Sequence, residues 1–188
     1  MSVIIAITGA SGIVLAERLI EELSKIKNIE IYTIISKNAE NIMNYETFDI
    51  EKVRRLSRYI YREDELDAEI SSSSFIADAM VIVPCSMKTL SSIANGFSDN
   101  LITRVAENIL KLNKKLVVVP RDTPLSLNAI ENMRKLKLQN ALILPPNMAY
   151  YYKPKTVDDV TNFFVGKILD ALGIENKLYE RWKCQGFD

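Results

Sequence analysis

The chain has 188 residues, 48% of them hydrophobic, enough for one well-buried core and short for two, so a single domain spanning 1–188 and closing with a helix and a tail is expected. Its 24 basic and 24 acidic residues leave no net charge, and no basic run is interleaved with aromatics, which argues against a nucleic-acid partner. Histidine is absent, which removes Ser-His-Asp and Cys-His catalysis, most zinc sites and an imidazole base; any acid or base must be a carboxylate, Lys, Tyr, Cys or a bound ligand.

The first apolar run predicts a strand over 3–8; it is too short to span a membrane and has no basic leader, so neither a signal peptide nor an anchor is expected. It runs into "GASG" at 9–12 and a helix over 11–24. A dinucleotide-binding turn would read G-x-G-x-x-G, whereas here Gly9 and Gly12 bracket Ala10 and Ser11. The segment reads equally as a ligand-binding turn or as a tight turn with Ser11 as helix cap. The second strand, 29–35, ends at Ser36, where a nicotinamide dinucleotide would call for an acidic residue on its ribose. A helix over 37–44 and a further strand candidate at 58–61 follow, and "SSSS" at 71–74 reads as a loop.

A third clear strand, 79–83, leads into "VPCSMKT", where Pro84 is expected to end the strand and Ser86, Met87, Lys88 and Thr89 to open a helix over 88–93. Helix N-terminal amides with hydroxyl and ammonium donors suit a phosphate; an ordinary cap beside a solvated lysine is the alternative. Cys85 reads as a buried filler, and its distance from Cys184, without C-x-x-C spacing, suits a reducing cytoplasmic setting. A helix over 99–112 carries Leu101, Ile102, Val105, Ile109 and Leu112 on one face. The strand over 115–119 ends in "PRDTPLS", placing Arg121 and Asp122 ahead of a helix over 125–136. That pair suits anion binding and proton movement, or else a local ion pair with Thr123 capping the helix. The last strand, 141–144, gives way to "LPPNMAYYYKP" and a helix over 157–172; three adjacent tyrosines more often serve an interface or core. Alternating strands and helices predict an α/β fold: an open parallel sheet, Rossmann-like or flavodoxin-like, with helices on both faces and ligands collected at the strands' carboxyl ends.

Taken together, "AITGASG", "MVIVPCSMKTLSSIANGFSDNLITRVAENIL", "LVVVPRDTPLSLNAIENMRKL", "ALILPPNMAYYYKP" and "VDDVTNFFVGKILDALGI" resemble the UbiX family of flavin prenyltransferases in family order over nearly the whole chain. The resemblance implies FMN and no metal, with transfer of a dimethylallyl group from dimethylallyl phosphate to N5 and C6 of reduced FMN and delivery of prenylated FMN to UbiD-like decarboxylases. It implies flavin contacts at Gly9, Ala10, Ser11, Ser36, Ser86, Met87, Lys88, Thr89 and Arg121, and assigns the prenyl phosphate to Tyr151 and Lys167, with Arg104 and Lys111 supplied by a neighbouring subunit of a dodecamer built of trimers. Ser11, Arg121, Lys111 and Asp122 would carry the chemistry, Asp122 standing where the family usually has Glu. Trp182 would help close the pocket. The rivals are an FMN-dependent cysteine decarboxylase of a related family, which relies on a histidine this chain lacks, and a non-catalytic FMN carrier.

Overall fold

The computed structural model describes residues 1–182, so Cys184 lies outside the described residues. Six strands, β1 (Ser2–Ile7), β2 (Glu30–Ile35), β3 (Tyr59–Arg62), β4 (Ala79–Cys85), β5 (Lys115–Pro120) and β6 (Leu142–Ile143), form one sheet. Every pairing is parallel and the order is β3-β2-β1-β4-β5-β6, the arrangement of the dinucleotide-binding fold. Because successive side chains on a strand point to opposite faces, the apolar runs feed two cores at once. Val3, Ile5 and Ile7 of β1 join Val81 and Val83 of β4 on one face, while Ile4 and Ala6 join Met80 and Ile82 on the other.

The first core is covered by α1 (Ile13–Ser24), α2 (Lys37–Ile42), α3 (Ile50–Leu56) and α7 (Val157–Leu172). The second lies beneath α4 (Met87–Ala94), α5 (Leu101–Lys111) and α6 (Leu127–Leu138). Among the described residues no helix is long and apolar enough to cross a membrane.

The expected elements form, with boundary corrections that have local causes. Ser11 does not cap α1: the helix begins at Ile13, and Gly12 takes the cap position at φ 101°, a left-handed conformation suited to glycine. Pro84 does not end its strand, for β4 runs on to Cys85 after a register shift between Ile82 and Cys85. Asn100 caps α5 in a reciprocal pair with Thr103, and Ser126, not Thr123, caps α6.

Helix α3 has no counterpart in the sequence reading. Its apolar face is short, with Val53 buried and Ile50 and Leu56 half-buried against the first core; Asp49 caps it, and Lys52 binds Glu17 and Glu21 of α1 at 3.1 and 2.8 Å. The hydrogen bond from Lys52 is the main reason that Glu21's carboxyl is held at about 2, against 4.5 for the free group. A carboxyl whose pKa folding depresses adds stability above 4.5 and loses it as pH falls toward 2. Lys52→Met is expected to lower stability at pH 7 by about 1 kcal/mol and to flatten the loss between pH 4.5 and 2, read from urea unfolding across that range. An acid limb identical to wild type would contradict this account of how α3 is anchored.

Candidate functional site

The chain leaves β1 toward β2 and β3, then crosses back to β4, so a crevice opens where the ends of β1 and β4 diverge. Thr8, almost wholly buried, ties those two ends together. Its hydroxyl donates to the Pro84 carbonyl at 2.8 Å and accepts from the Ser86 N–H at 2.7 Å, while its own N–H reaches Pro84 at 3.3 Å. On one side the Ser36 N–H donates to the Ile7 carbonyl at 3.0 Å; on the other, the Arg121 N–H donates to Cys85 at 3.0 Å. Main-chain bonds thus bring the Gly9–Gly12 turn, Ser36, Ser86 and Arg121 to one rim. Thr8 was not among the residues singled out from sequence, since a threonine at a strand end carries no pattern of its own.

Two helix N-termini face this rim and differ in what fills them. At α1, the Glu46 carboxylate accepts from Gly12 N–H at 3.0 and 2.9 Å and from Ile13 N–H at 3.1 Å. The amides that a dinucleotide's pyrophosphate would use are therefore occupied by the chain's own carboxylate. Sequence reading passed over Glu46, which is far from the turn along the chain. At α4, Ser86 is the cap: its Oγ accepts from Thr89 N–H at 3.3 Å and lies 3.1 Å from Thr89 Oγ1. Among the described residues, the Met87 and Lys88 N–H groups have no acceptor and the Lys88 ammonium has no ion pair.

The turn itself is tightly packed. A side chain on Gly9 would collide with Cβ of Asn38, so its glycine serves close approach of α2. Ala10 N–H closes the turn onto the Thr8 carbonyl at 2.8 Å, and Ser11 is exposed. Ser36, buried, caps α2 by accepting from Ala39 N–H at 3.1 Å. Cys85 behaves as a filler, with its side chain buried and its thiol pushed far up by that burial, so it is no nucleophile.

Beyond β5, a cleft of about 380 Å³ is lined by Arg121, Asp122, Leu125, Met133, Pro145 and Asn147. The local Arg121–Asp122 ion pair does not form. Asp122 instead accepts from its neighbour's N–H, Thr123, at 3.0 Å, and Arg121 is exposed without a carboxylate partner among the described residues.

An aromatic cluster links Tyr151 to Lys167 of α7. Tyr151 meets Trp182 edge-on at 5.2 Å between centroids and Phe163 at 6.3 Å; Phe163 in turn meets Tyr179 at 5.0 Å, and Lys167 Nζ lies 5.6 Å over the Tyr179 ring. Burial, aided by the hydrogen bond to Asp170, pushes the Tyr179 hydroxyl up to about 12, so it remains a donor at neutral pH. Arg104 and Lys111 are not part of this assembly within one chain. Arg104 sits on the outer helix layer 3.7 Å from Glu107, and Lys111 borders a cleft of about 610 Å³ just ahead of the start of β5, opposite the strands' carboxyl ends.

Residues 1–169 match the Flavoprotein family. The chain is 45% identical over 183 residues to flavin prenyltransferase UbiX of Methanocaldococcus jannaschii, covering 97% of this chain and 98% of that protein. It is 44% identical to flavin prenyltransferase UbiX of Thermoplasma acidophilum, covering 97% of this chain and all of its relative (100%). Among solved structures, a dodecameric FMN-dependent UbiX-like decarboxylase from Escherichia coli O157:H7 superposes with a TM-score of 0.94 at 38% identity, covering 97% of this chain and 100% of that one. AnUbiX (PadA1) in complex with FMN and dimethylallyl pyrophosphate does so with a TM-score of 0.93 at 38% identity, covering 100% and 98%. The peptidyl-cysteine decarboxylase EpiD shares the fold alone, at 18% identity and a TM-score of 0.66. The chain belongs to the UbiX flavin prenyltransferases of the Flavoprotein family.

Proposed function

We propose that this protein transfers the dimethylallyl group of dimethylallyl phosphate to N5 and C6 of reduced FMN, acting in the cytoplasm and supplying prenylated FMN to a UbiD-like decarboxylase. The observation that carries the reading is the contrast between the two helix N-termini, one closed by Glu46 and one open beside Ser86, Lys88 and Thr89. That arrangement suits a flavin mononucleotide with a single phosphate and disfavours a dinucleotide. The FMN seen with AnUbiX, a relative 38% identical over the full chain, supports the same cofactor.

Ser86, Met87, Lys88 and Thr89 would hold the phosphate, Gly9, Ala10, Ser11 and Ser36 would border the flavin, and Arg121 would engage it from beyond β5. The bound flavin supplies the electron-rich atoms that accept the allyl fragment. Tyr151 and Lys167 would bind the departing phosphate, whose charge grows as the allylic C–O bond lengthens; donors fixed in place favour that stage over the ground state. Arg104 and Lys111 lie outside their own chain's rim, and a neighbouring subunit is proposed to bring them, in a dodecamer of trimers like the dodecameric relative. Asp122, exposed at the cleft, is proposed to take the proton released as the fourth ring closes.

The decisive measurement is the mass of the flavin after anaerobic incubation with reduced FMN and dimethylallyl phosphate. A gain of one isoprenoid unit is expected, whereas FMN recovered unaltered would mark a carrier. Arg121→Leu removes a cation with no structural partner, so the fold should be unchanged by circular dichroism. FMN affinity should fall about 10- to 100-fold, the worth of a charge-assisted hydrogen bond. Asp122→Asn should retain FMN yet slow ring closure by about a hundredfold or more in single-turnover experiments. An unchanged rate would remove Asp122 from the mechanism.

A further inference from the structure

Beyond Leu172 the chain turns at Gly173, whose left-handed φ of 81° ends α7, and runs back along that helix. This arm is fastened by a single carboxylate. Asp170 accepts from the Tyr179 hydroxyl at 2.5 Å, from both terminal nitrogens of Arg181 at 3.0 and 2.6 Å, and from Asn176 Nδ2 at 2.9 Å. Asn176 Nδ2 also lies 3.1 Å from the Gly166 carbonyl.

Directly beneath the arm, α7 has no side chain. A Cβ on Gly166 would lie 2.5 and 2.8 Å from two atoms of the Tyr179 ring and 2.9 Å from Asn176 Oδ1. Glycine is a poor helix former in mid-helix, and here it makes a seat for an aromatic ring. The seated ring faces the Lys167 ammonium, and three residues further the arm delivers Trp182 to the edge of Tyr151.

We propose that Asp170 and Gly166 form a clasp that positions the C-terminal arm, and that this clasp sets the affinity of the pocket formed by Tyr151 and Lys167 for the allylic phosphate. The inference rests on the assignment of those two residues to the phosphate ester. Asp170 is a positioning residue: its four hydrogen bonds all go to the arm, and none goes to Tyr151 or Lys167. Holding the arm in place before the ester arrives removes an ordering cost from binding.

Trp182 is the chain's one tryptophan, so its fluorescence reports on the arm without labelling. In the FMN-loaded wild-type protein its anisotropy should decay with overall tumbling. In Gly166→Ala, which favours the helix but evicts Tyr179, and in Asp170→Ala, a fast local component should appear. The dissociation constant for dimethylallyl phosphate, measured by calorimetry, should rise about tenfold in both, with FMN affinity and melting temperature near wild type. Tyr179→Phe, which keeps the ring and loses one hydrogen bond, should shift it less. Unaltered anisotropy in both principal variants, or a freed arm with unaltered ester affinity, overturns the clasp. Wild-type protein that binds FMN but no ester instead overturns the functional assignment, and the clasp with it.

Discussion

The rim depends on the buried hydroxyl of Thr8. A hydroxyl removed from water must be satisfied, and this one uses both its donor and its acceptor where β4 passes into α4, at the Pro84 carbonyl and the Ser86 amide. It does so where β4's pairing with β5 loses its regular register, so the ladder alone would not fix the strand end. Through Ser86 the same contact sets the start of α4, and through the Cys85 carbonyl β4 in turn holds the Arg121 amide. The Thr8 hydroxyl thereby locks together segments 76 and 78 residues apart in sequence, and the Cys85–Arg121 bond extends the tie to β5.

Electrostatic pairing is unevenly spread over the molecule. Arg18, Lys25 and Lys52 are bound into a web with Glu17, Glu21 and Glu22 that fastens α1 and α3. By contrast, Lys88 and Arg121 at the rim, and Lys167 beside the aromatic cluster, join no ion pair among the described residues, though the chain as a whole carries no net charge. Cations held near a crevice without internal partners are what an anionic ligand requires, since binding then displaces water and not a carboxylate.

Much of this was legible in the sequence because the sheet is buried on both faces. Runs such as "VIIAI" and "MVIV" admit little besides central parallel strands, and a parallel sheet places its loops predictably. Ser36, Ser86 and Arg121 could therefore be picked out as strand-end residues, and the resemblance carried over Tyr151 and Lys167, which the structure joins through Phe163 and Tyr179. Features that depend on distant partners escaped. Helix α3 offers only two turns of apolar pattern, Ile50, Val53 and Leu56, and is anchored by Lys52 and a cap; the turn at Gly9 is shaped by Asn38; and neither Thr8 nor Glu46 belongs to a local pattern. Helix starts moved by one or two residues for a similar reason. Caps such as Ser126 and Asn100 compete with nearby polar residues for the same role, and only the folded backbone decides between them.

Glu46 has a consequence for the selectivity of the scaffold. The strand order is that of proteins that grip linked phosphates at their first helix, yet here this grip is filled from within. A solute presenting two joined phosphates would have to evict a tethered carboxylate whose effective concentration beside those amides is set by the polypeptide and does not fall on dilution. Intramolecular competition thus closes the α1 amides to an outside phosphate, while the neighbouring N-terminus of α4 carries no such tethered carboxylate among the described residues.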